Sequence, residues 1–254
     1  MTVPPRPLSA EYFDDWYASK AATPAVAEIT NRHMGLPADL SAGVVAAEAI
    51  PELITGLRLS PGDTLLDLAC GRAGYGLTIA RSTGARFIGV DFSAQALAEA
   101  REQAARLGVT GAEFRVGEIT ASGLPDASAD AVLCTDSIQF PDHPADAYRE
   151  IRRVLKPGGR VMLTCWEPVD PSEERLSARL RQVDLAAGLA SAGFTGIAVE
   201  DRPAWRARER ALWEEAVTID PGDDRALRSF RDEGTRSLDH FDLIHRVLAA
   251  ATAP

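Results

Sequence analysis

An aspartate followed by a glycine-rich bend is the first feature of the sequence that indicates a binding site. Asp67 lies near the end of the apolar run TLLDLAC, and the small residues from Ala69 to Gly74 follow it. A ligand can lie directly on the backbone where side chains are missing. The helix expected to begin near Arg72 adds free N–H groups that suit a carboxylate or a phosphate. Asp67 is placed to accept a hydrogen bond from a ligand ammonium group.

A second aspartate, Asp91, ends the apolar run ARFIGVD. An acid at the end of a second strand accepts hydrogen bonds from both hydroxyls of a ribose and rejects a 2′-phosphate. Phe92 offers a ring face to a purine, and Glu118, after Gly117, can accept from an exocyclic amine. These residue types suit a nucleoside that carries an amino-acid tail, and S-adenosylmethionine is such a molecule.

The order of the glycines argues against a dinucleotide site. Gly71, Gly74 and Gly76 do not form the G-x-G-x-x-G pattern of a dinucleotide fingerprint. A nicotinamide-dependent oxidoreductase on a similar sheet would also need a Tyr-x-x-x-Lys motif, which the sequence lacks. That alternative is therefore less well supported than a nucleoside site of another kind.

Strands that alternate with helices must position these residues. Apolar runs bounded by turn residues predict seven strands, at 64–70, 85–91, 112–118, 129–137, 160–166, 194–202 and 245–253. Periodicity and capping residues predict helices at 41–57 with Ser41 as N-cap, 72–81, 93–108, 144–155, near 175–192, and over 204–240 with a turn at 220–224.

Repeated strand–helix units require a parallel sheet that is covered on both faces. The predicted fold is therefore α/β and Rossmann-like: a doubly wound, mostly parallel seven-stranded sheet. The last apolar run, 245–253, suits a short strand or a helix, and a strand that closes the edge as an antiparallel hairpin with its neighbour is favoured. Residues 1–60 are expected to form an N-terminal helical lid. Residues 61–254 form the core, with a helical substrate insertion at about 204–240. Ligands of such sheets lie outside the carboxyl ends of the strands.

Five stretches resemble the core of the class I S-adenosylmethionine-dependent methyltransferases, over about residues 63 to 166. They are LLDLACGRAG, FIGVDFSAQALAEA, FRVGEITASGLP, ADAVLCTDSIQFPD and YREIRRVLKPGGRVML. Within the family the chain looks most like bacterial small-molecule and natural-product methyltransferases. The sequence departs from the usual D-x-G-x-G-x-G at Ala69 and Ala73, which replace two glycines, and it has Glu118 where aspartate is usual.

The resemblance implies an enzyme that transfers a methyl group from S-adenosylmethionine to an O, N or C atom of a small acceptor. The residues expected to bind the cofactor are Tyr17, Asp67, Ala69, Cys70, Gly71, Gly74, Asp91, Phe92, Gly117, Glu118, Ile119 and Thr135. A relative that keeps the cofactor fold and catalyses a cyclisation or decarboxylation is the alternative that the sequence leaves open.

Three residues are candidates for catalysis. A sulfonium is already activated, so the protein mainly orients the reactants, and a base is needed only when the acceptor must lose a proton. His33, in the expected lid, is the first choice for that base. His143, at the start of the helix after the fourth strand, is the second, although helix capping competes with that role. Gln139 is expected to hold the acceptor by a hydrogen bond.

Composition restricts the partners. The net charge of −10 and the pI of about 5.0 argue against nucleic acid, so we expect a neutral, mid-sized organic acceptor. Three cysteines without a C-x-x-C pair predict reduced thiols of a cytoplasmic protein and no metal site. The N-terminus lacks the apolar region of a signal peptide, and no apolar run is long enough to span a membrane. The oligomeric state stays open, a homodimer included.

Overall fold

A seven-stranded sheet forms the centre of the protein, in a computed structural model that describes residues 9–21, 23–38, 40 and 43–254. The strands are β1 Thr64–Leu68, β2 Arg86–Asp91, β3 Glu113–Val116, β4 Ala129–Thr135, β5 Leu155–Pro168, β6 Thr195–Asp201 and β7 Ile244–Thr252. Their spatial order is β3-β2-β1-β4-β5-β7-β6. Strand β7 runs antiparallel to β5 and β6, and the other pairings are parallel. The predicted fold class is confirmed.

Helices cover both faces of the sheet. They are α1 Ala10–Ala21, α2 Pro24–Met34, α3 Ala49–Leu57, α4 Gly74–Thr83, α5 Ala94–Leu107, α6 Pro144–Val154, α7 Ala178–Arg181, α8 Leu185–Ser191, α9 Pro203–Ala216 and α10 Arg225–His240, with a 3-10 turn at Phe241–Leu243. None of the helices in the described ranges is long and apolar enough to cross a membrane.

The central strand shows why its sequence is continuously apolar. Every residue of β1 is buried, and successive side chains point to opposite faces of the sheet. Leu65 packs into a cluster with Leu53 of α3 and Leu77 of α4. Leu66 packs into a second cluster that includes Ile151 of α6. Strand β1 therefore has a hydrophobic core on each side, which fixes the carboxyl end from which the glycine-rich bend departs.

Two predicted helices are wrong in extent. The helix predicted over 41–57 begins at Ala49. The Tyr75 hydroxyl donates to the Val45 carbonyl at 2.7 Å and accepts from the Val45 amide at 3.0 Å, so Val45 is bonded to a side chain outside any helix. Its predicted N-cap, Ser41, lies outside the described residues.

The helix predicted near 175–192 is two short helices, α7 and α8. Each has its own N-cap: the Ser177 hydroxyl accepts from the Leu180 amide at 3.3 Å, and the Asp184 carboxylate accepts from the Ala187 amide at 2.8 Å. A second capping residue inside the predicted span starts a new helix, since its side chain satisfies amides that a continuous helix would pair internally.

We expect Gly76→Ala to destabilise the protein by about 1–3 kcal/mol, the usual cost of overpacking a core. A Cβ at this position of α4 would lie 2.6 Å from the Phe87 ring and still closer to the Asp67 carboxylate, both of which are buried. The measurement is urea denaturation of the purified variant.

The matched control is Gly56→Ala in α3. The added Cβ there meets only the side chain of Met162, whose thioether can rotate away. Alanine also has the higher helix propensity, so this variant should unfold near the wild-type midpoint. Equal midpoints for both variants would show that the contact between α4 and the end of β1 is loosely packed.

Candidate functional site

The bend between β1 and α4 has an unusual backbone. Ala69, Gly71 and Ala73 all have left-handed φ values, of 58°, 52° and 59°. This conformation costs an alanine of order 1 kcal/mol and costs glycine almost nothing. Because Ala73 is left-handed, the helix begins at Gly74, two residues later than predicted. The bend therefore keeps the shape that a glycine-rich sequence would adopt, although two of its positions are alanine.

Asp91 joins this bend to the end of β2. Its carboxylate accepts from the Gly71 amide at 2.8 Å and from the Ser93 amide at 2.9 Å. The Phe92 amide also stabilises it. A carboxylate has about four lone-pair positions, so it can still accept from a ligand hydroxyl. Burial, more than any other cause, raises the pKa of Asp91. The side chain lies where the sequence predicts a ribose-binding acid.

Asp67 is not among the described residues that line the cavity, and its hydrogen bond from a ligand ammonium group stays a prediction. Its side chain is buried beneath the bend, where the Gly76 amide at the start of α4 stabilises it. Burial first, and repulsion from Asp91 second, raise the pKa of Asp67 to about 8. Its Oδ1 has no hydrogen-bond partner among the described residues. The residue supports the bend from below.

Helix α1 covers the cofactor edge. Its Asp14 accepts from the Ser93 hydroxyl and, at 3.1 Å, from the Gln95 amide, so it adds a second cap to α5. The ring of Phe13 lies 5.3 Å from that of Phe92. Residue 71 must be glycine, since a Cβ there would lie 2.6 Å from the Tyr17 hydroxyl. The structure thus brings Tyr17 and Phe92 to the predicted cofactor edge.

The loop after β3 completes this edge. The Gly117 amide donates to the Asp91 carbonyl at 3.1 Å, which places the loop beside the ribose-binding acid. The amide and carbonyl of Glu118 bond to Ala121, and its side chain is exposed near the Thr120 hydroxyl. Ile119 packs partly buried against the core below. Glu118 is at the rim, as a residue that binds an exocyclic amine would be.

One cavity of about 460 Å³ extends from the bend to the ends of β4 and β5. The bend contributes Ala69, Cys70, Gly71 and Gly74, α1 contributes Tyr12, Phe13, Trp16 and Tyr17, the β4 end contributes Thr135, Asp136, Gln139 and Phe140, and Trp166, Trp213 and Phe230 close the far side. We call this the strand-end cavity. It is large enough for small ligands and is rich in aromatic side chains.

His33 is not in the strand-end cavity, so its predicted role as the general base there is wrong. It lies on the side of α2 that faces α9, and its Nε2 is 2.7 Å from the Glu215 carboxylate. Residues one turn earlier on α2, Thr30 and Asn31, line the cavity instead. Residues two or three apart on a helix can face different neighbours. The position of a single histidine in the sequence does not show which face of its helix will meet a cavity.

The two other catalytic candidates lie near the end of β4. His143 is exposed, precedes the first turn of α6, and makes no side-chain capping bond. It does not line the cavity, so its predicted catalytic role is not supported by its position. Gln139 does line the cavity. Its amide donates to the Asp136 carbonyl at 2.8 Å and accepts from the Cys165 thiol at 3.0 Å.

A group of buried charges behind the cavity was missed by the sequence reasoning. Arg246, near the start of β7, has no exposed surface and pairs with Asp136 at 2.6 Å. Glu209 of α9 lies 3.8 Å from the same guanidinium. The sequence feature that predicts such a group is the arginine inside the apolar run HRVLAAATA. An arginine buried with that strand needs a charged partner.

Comparison with known proteins identifies the central part of the chain. Residues 66–163 match the model of a family described as a methyltransferase domain. This part of the chain is similar to a methyltransferase domain. This confirms the predicted resemblance to class I S-adenosylmethionine-dependent methyltransferases.

Relatives of this methyltransferase domain act on different molecules. The chain is 34% identical over 166 residues to phosphoethanolamine N-methyltransferase 1 of Arabidopsis thaliana, an alignment that covers 61% of the chain and 33% of the relative. It therefore spans about a third of the length of the curated relatives that it matches. The alignment assigns the domain and does not identify the acceptor.

Two solved structures share the fold over most of the chain. The 4+2 cyclase SpnF has a TM-score of 0.74 at 21% identity, and the alignment covers 98% of both chains. Phosphoethanolamine N-methyltransferase 2 of Haemonchus contortus, in complex with phosphomonomethylethanolamine and S-adenosylhomocysteine, has a TM-score of 0.73 at 20% identity, over 95% of this chain and 60% of that one. At these identities the likeness shows the fold alone.

We predict that His33→Ala lowers stability by about 0.3–1 kcal/mol, the range of a partly exposed ion pair. His33 and Arg32 lower the pKa of Glu215, with the His33 hydrogen bond the larger cause. An acid whose pKa is lowered on folding contributes stability above its ordinary pKa and loses it as the pH falls. The difference from wild type should therefore be present at pH 5.5 and shrink toward pH 3.5, measured by urea denaturation.

The matched control is His143→Ala, which removes an exposed imidazole without a capping bond and should match wild type at both pH values. Calorimetric affinity for S-adenosylhomocysteine should be the same in all three proteins. A His33→Ala variant with wild-type stability and weakened affinity for S-adenosylhomocysteine would contradict this account and show that His33 takes part in binding.

Proposed function

We propose that the protein transfers a methyl group from S-adenosylmethionine to a small organic acceptor. The observation that carries this proposal is the hydrogen bond from the Gly71 amide, in the bend at Ala69–Gly74, to the Asp91 carboxylate. Apart from Arg72, the bend presents backbone with small side chains, and Asp91 keeps lone pairs for ribose hydroxyls. These features fit the nucleoside and the amino-acid tail of the cofactor, which when bound supplies an electrophilic methyl group.

The chain's own residues have distinct tasks in this proposal. Asp91 and the Glu118 loop hold the nucleoside, and the amides at the start of α4 lie at the end of the bend where a carboxylate is favoured. Helix α1 acts as the lid, since Phe13 and Tyr17 lie over this edge and exclude water. Gln139 and the β4 end face the acceptor.

Cofactor and acceptor share one compartment. The strand-end cavity is lined by the bend on one side and by Phe140, Trp166 and Trp213 on the other. Orientation of two bound reactants in one dry site supplies much of the rate acceleration that a displacement at an activated carbon needs, about 7–11 kcal/mol for well-oriented reactants.

A small acceptor, rather than a macromolecule, is favoured by three properties. The cavity holds about 460 Å³, its far side combines Trp166, Trp213 and Phe230 with polar and charged residues of α10, and the chain has a net charge of −10, which repels nucleic acid. The complex of the Haemonchus contortus enzyme with phosphomonomethylethanolamine shows that a protein of this fold binds a small molecule. We propose an O, N or C atom of a secondary metabolite as the position that is methylated.

A second candidate is a relative that binds the cofactor without transferring its methyl group. No histidine is among the residues that line the cavity in the described part of the chain, so no imidazole base faces the acceptor there. The similarity to the cyclase SpnF over the whole chain also agrees with this candidate. Incubation of the protein with methyl-labelled cofactor and a panel of candidate acceptors separates the two: label in an acceptor, with equimolar S-adenosylhomocysteine, supports methyl transfer.

Converted acceptor without label transfer would support the second candidate and contradict the first. The same panel should include bulk RNA, DNA and protein. Efficient labelling of any of these would contradict the proposal of a small acceptor.

We predict that Asp91→Ala weakens S-adenosylhomocysteine binding by about 30-fold or more. The substitution removes hydrogen bonds to a charged group, each of which contributes about 1.5–3 kcal/mol, and 1.4 kcal/mol corresponds to a factor of ten. The measurement is isothermal titration calorimetry on protein that retains its circular dichroism spectrum.

The matched control is Asp201→Ala. Asp201 also ends a strand at the carboxyl edge of the sheet, but it is exposed at the end of β6, the strand at the other edge of the sheet from β3 and β2. Its affinity for S-adenosylhomocysteine should equal that of wild type. Equal affinities in both variants would mean that Asp91 only caps α5 and braces the bend.

A further inference from the structure

A fully buried arginine lies behind the strand-end cavity. Arg246 is directly opposite Trp166 in the pairing of β7 with β5, and its guanidinium lies 4.1 Å from the centre of the Trp166 ring. Its Nη2 donates to the Asp136 carboxylate at 2.6 Å. A buried charge is costly unless it is paired, so the position of Arg246 is tied to that of Asp136.

The same group of charges fixes the aromatic wall of the cavity. Glu209 accepts from the indole nitrogen of Trp166 at 3.0 Å and from that of Trp213 at 3.2 Å. Burial raises the pKa of Glu209, and Arg246 opposes that shift. Both tryptophans line the cavity, so their rings are held by bonds made outside it.

Asp136 is the member of this group that lines the cavity. It follows the last residue of β4 and has a left-handed φ of 53°. Strained backbone conformations of this kind cost free energy and cluster at functional sites. Its Oδ1 accepts from the Thr164 hydroxyl at 2.7 Å, and its Oδ2 accepts from Arg246. Each oxygen keeps a further lone pair, so the carboxylate can accept from a ligand without losing either support.

The charge balance indicates which ligand group fits. The guanidinium of Arg246 lies 2.6 Å from Asp136 and 3.8 Å from Glu209, whose pKa burial raises. It therefore offsets most of the charge of the nearer carboxylate, Asp136, and a cationic ligand gains little extra attraction from it. A neutral O–H or N–H gains a short hydrogen bond to an ionised acceptor, which is stronger than one between neutral groups. The apolar remainder of such a ligand would lie against Trp166, Trp213 and Phe230.

We propose that Asp136 is the residue that selects the acceptor, by accepting a hydrogen bond from a neutral hydroxyl or amine, and that Arg246 is a positioning residue that holds Asp136 from behind. This inference rests on the proposed function, because it names the acceptor class of the same site. It favours acceptors methylated at oxygen or nitrogen over hydrocarbon acceptors without an O–H or N–H group.

The test compares three probes of similar shape: phenol, which donates a hydrogen bond, anisole, which cannot, and toluene, which has no oxygen. Dissociation constants are measured by ligand-observed NMR with saturating S-adenosylhomocysteine and again without it. In wild type, phenol should bind about tenfold more tightly than anisole or toluene, the minimum expected for a hydrogen bond to a charged acceptor.

Asp136→Gly should abolish this preference, since glycine keeps the left-handed backbone and removes the carboxylate. Because the single variant leaves Arg246 with only the more distant Glu209, Asp136→Gly with Arg246→Met is made as well, which removes the closely paired charges together. Glu209 keeps the indole donors of Trp166 and Trp213 in that variant. Asp142→Gly is the matched control: Asp142 lies on the same loop, is exposed, and pairs with Arg179. It should keep the full preference.

Arg246→Lys tests the positioning role. Lysine keeps the charge but lacks the planar guanidinium that stacks on Trp166 and bonds Asp136 at the same time. The preference for phenol should therefore fall several-fold, with unchanged affinity for S-adenosylhomocysteine. A purely structural role would lower the affinity for every ligand alike.

A tenfold preference that survives in both Asp136 variants, or that is absent from wild type, would overturn the inference. Failure of wild type to bind S-adenosylhomocysteine would instead contradict the proposed function. The phenol preference measured without S-adenosylhomocysteine would still decide the role of Asp136.

Discussion

The site depends on one carboxylate that ties two strand ends together. Asp91, at the end of β2, accepts from the Gly71 amide of the bend after β1 and from the Ser93 amide at the start of α5. The Cys70 amide adds a bond to the Val90 carbonyl at 3.0 Å. These bonds hold the bend in a backbone path that two alanines would otherwise resist. Because the acid is already fixed by the fold, its free lone pairs point in a direction set before any ligand arrives.

A similar arrangement recurs at the end of β4. Asp136 is held by two donors, Thr164 and Arg246, as Asp91 is held by two amides. Asp136 lines the strand-end cavity, and Asp91 lies behind Gly71, which also lines it. The proposed division of labour follows from their surroundings: Asp91 is next to bare backbone and Phe92, and Asp136 is next to tryptophan rings. Rigid support of this kind is what orientation of two reactants requires.

Much of this account could be predicted from local sequence. The apolar runs located all seven strands, and the antiparallel last strand was predicted from its place beside β6. The cofactor edge was also predictable, because parallel strands bring Asp91 and the bend together whatever the helices do. His33 was misplaced because its direction depends on how α2 packs on α9, through Glu215. The pair of Asp136 and Arg246 is separated by 110 residues along the chain, so only the paired strands bring it together.

The central claim is that Asp91 and the bend bind the nucleoside of S-adenosylmethionine. A crystal structure of the complex with S-adenosylhomocysteine tests it most directly. We expect both ribose hydroxyls within hydrogen-bonding distance of the Asp91 carboxylate, the amino-acid tail along Ala69–Gly74, and α1 over the adenosine. A ligand bound elsewhere, with Asp91 bonded only to Gly71 and Ser93, would contradict the account.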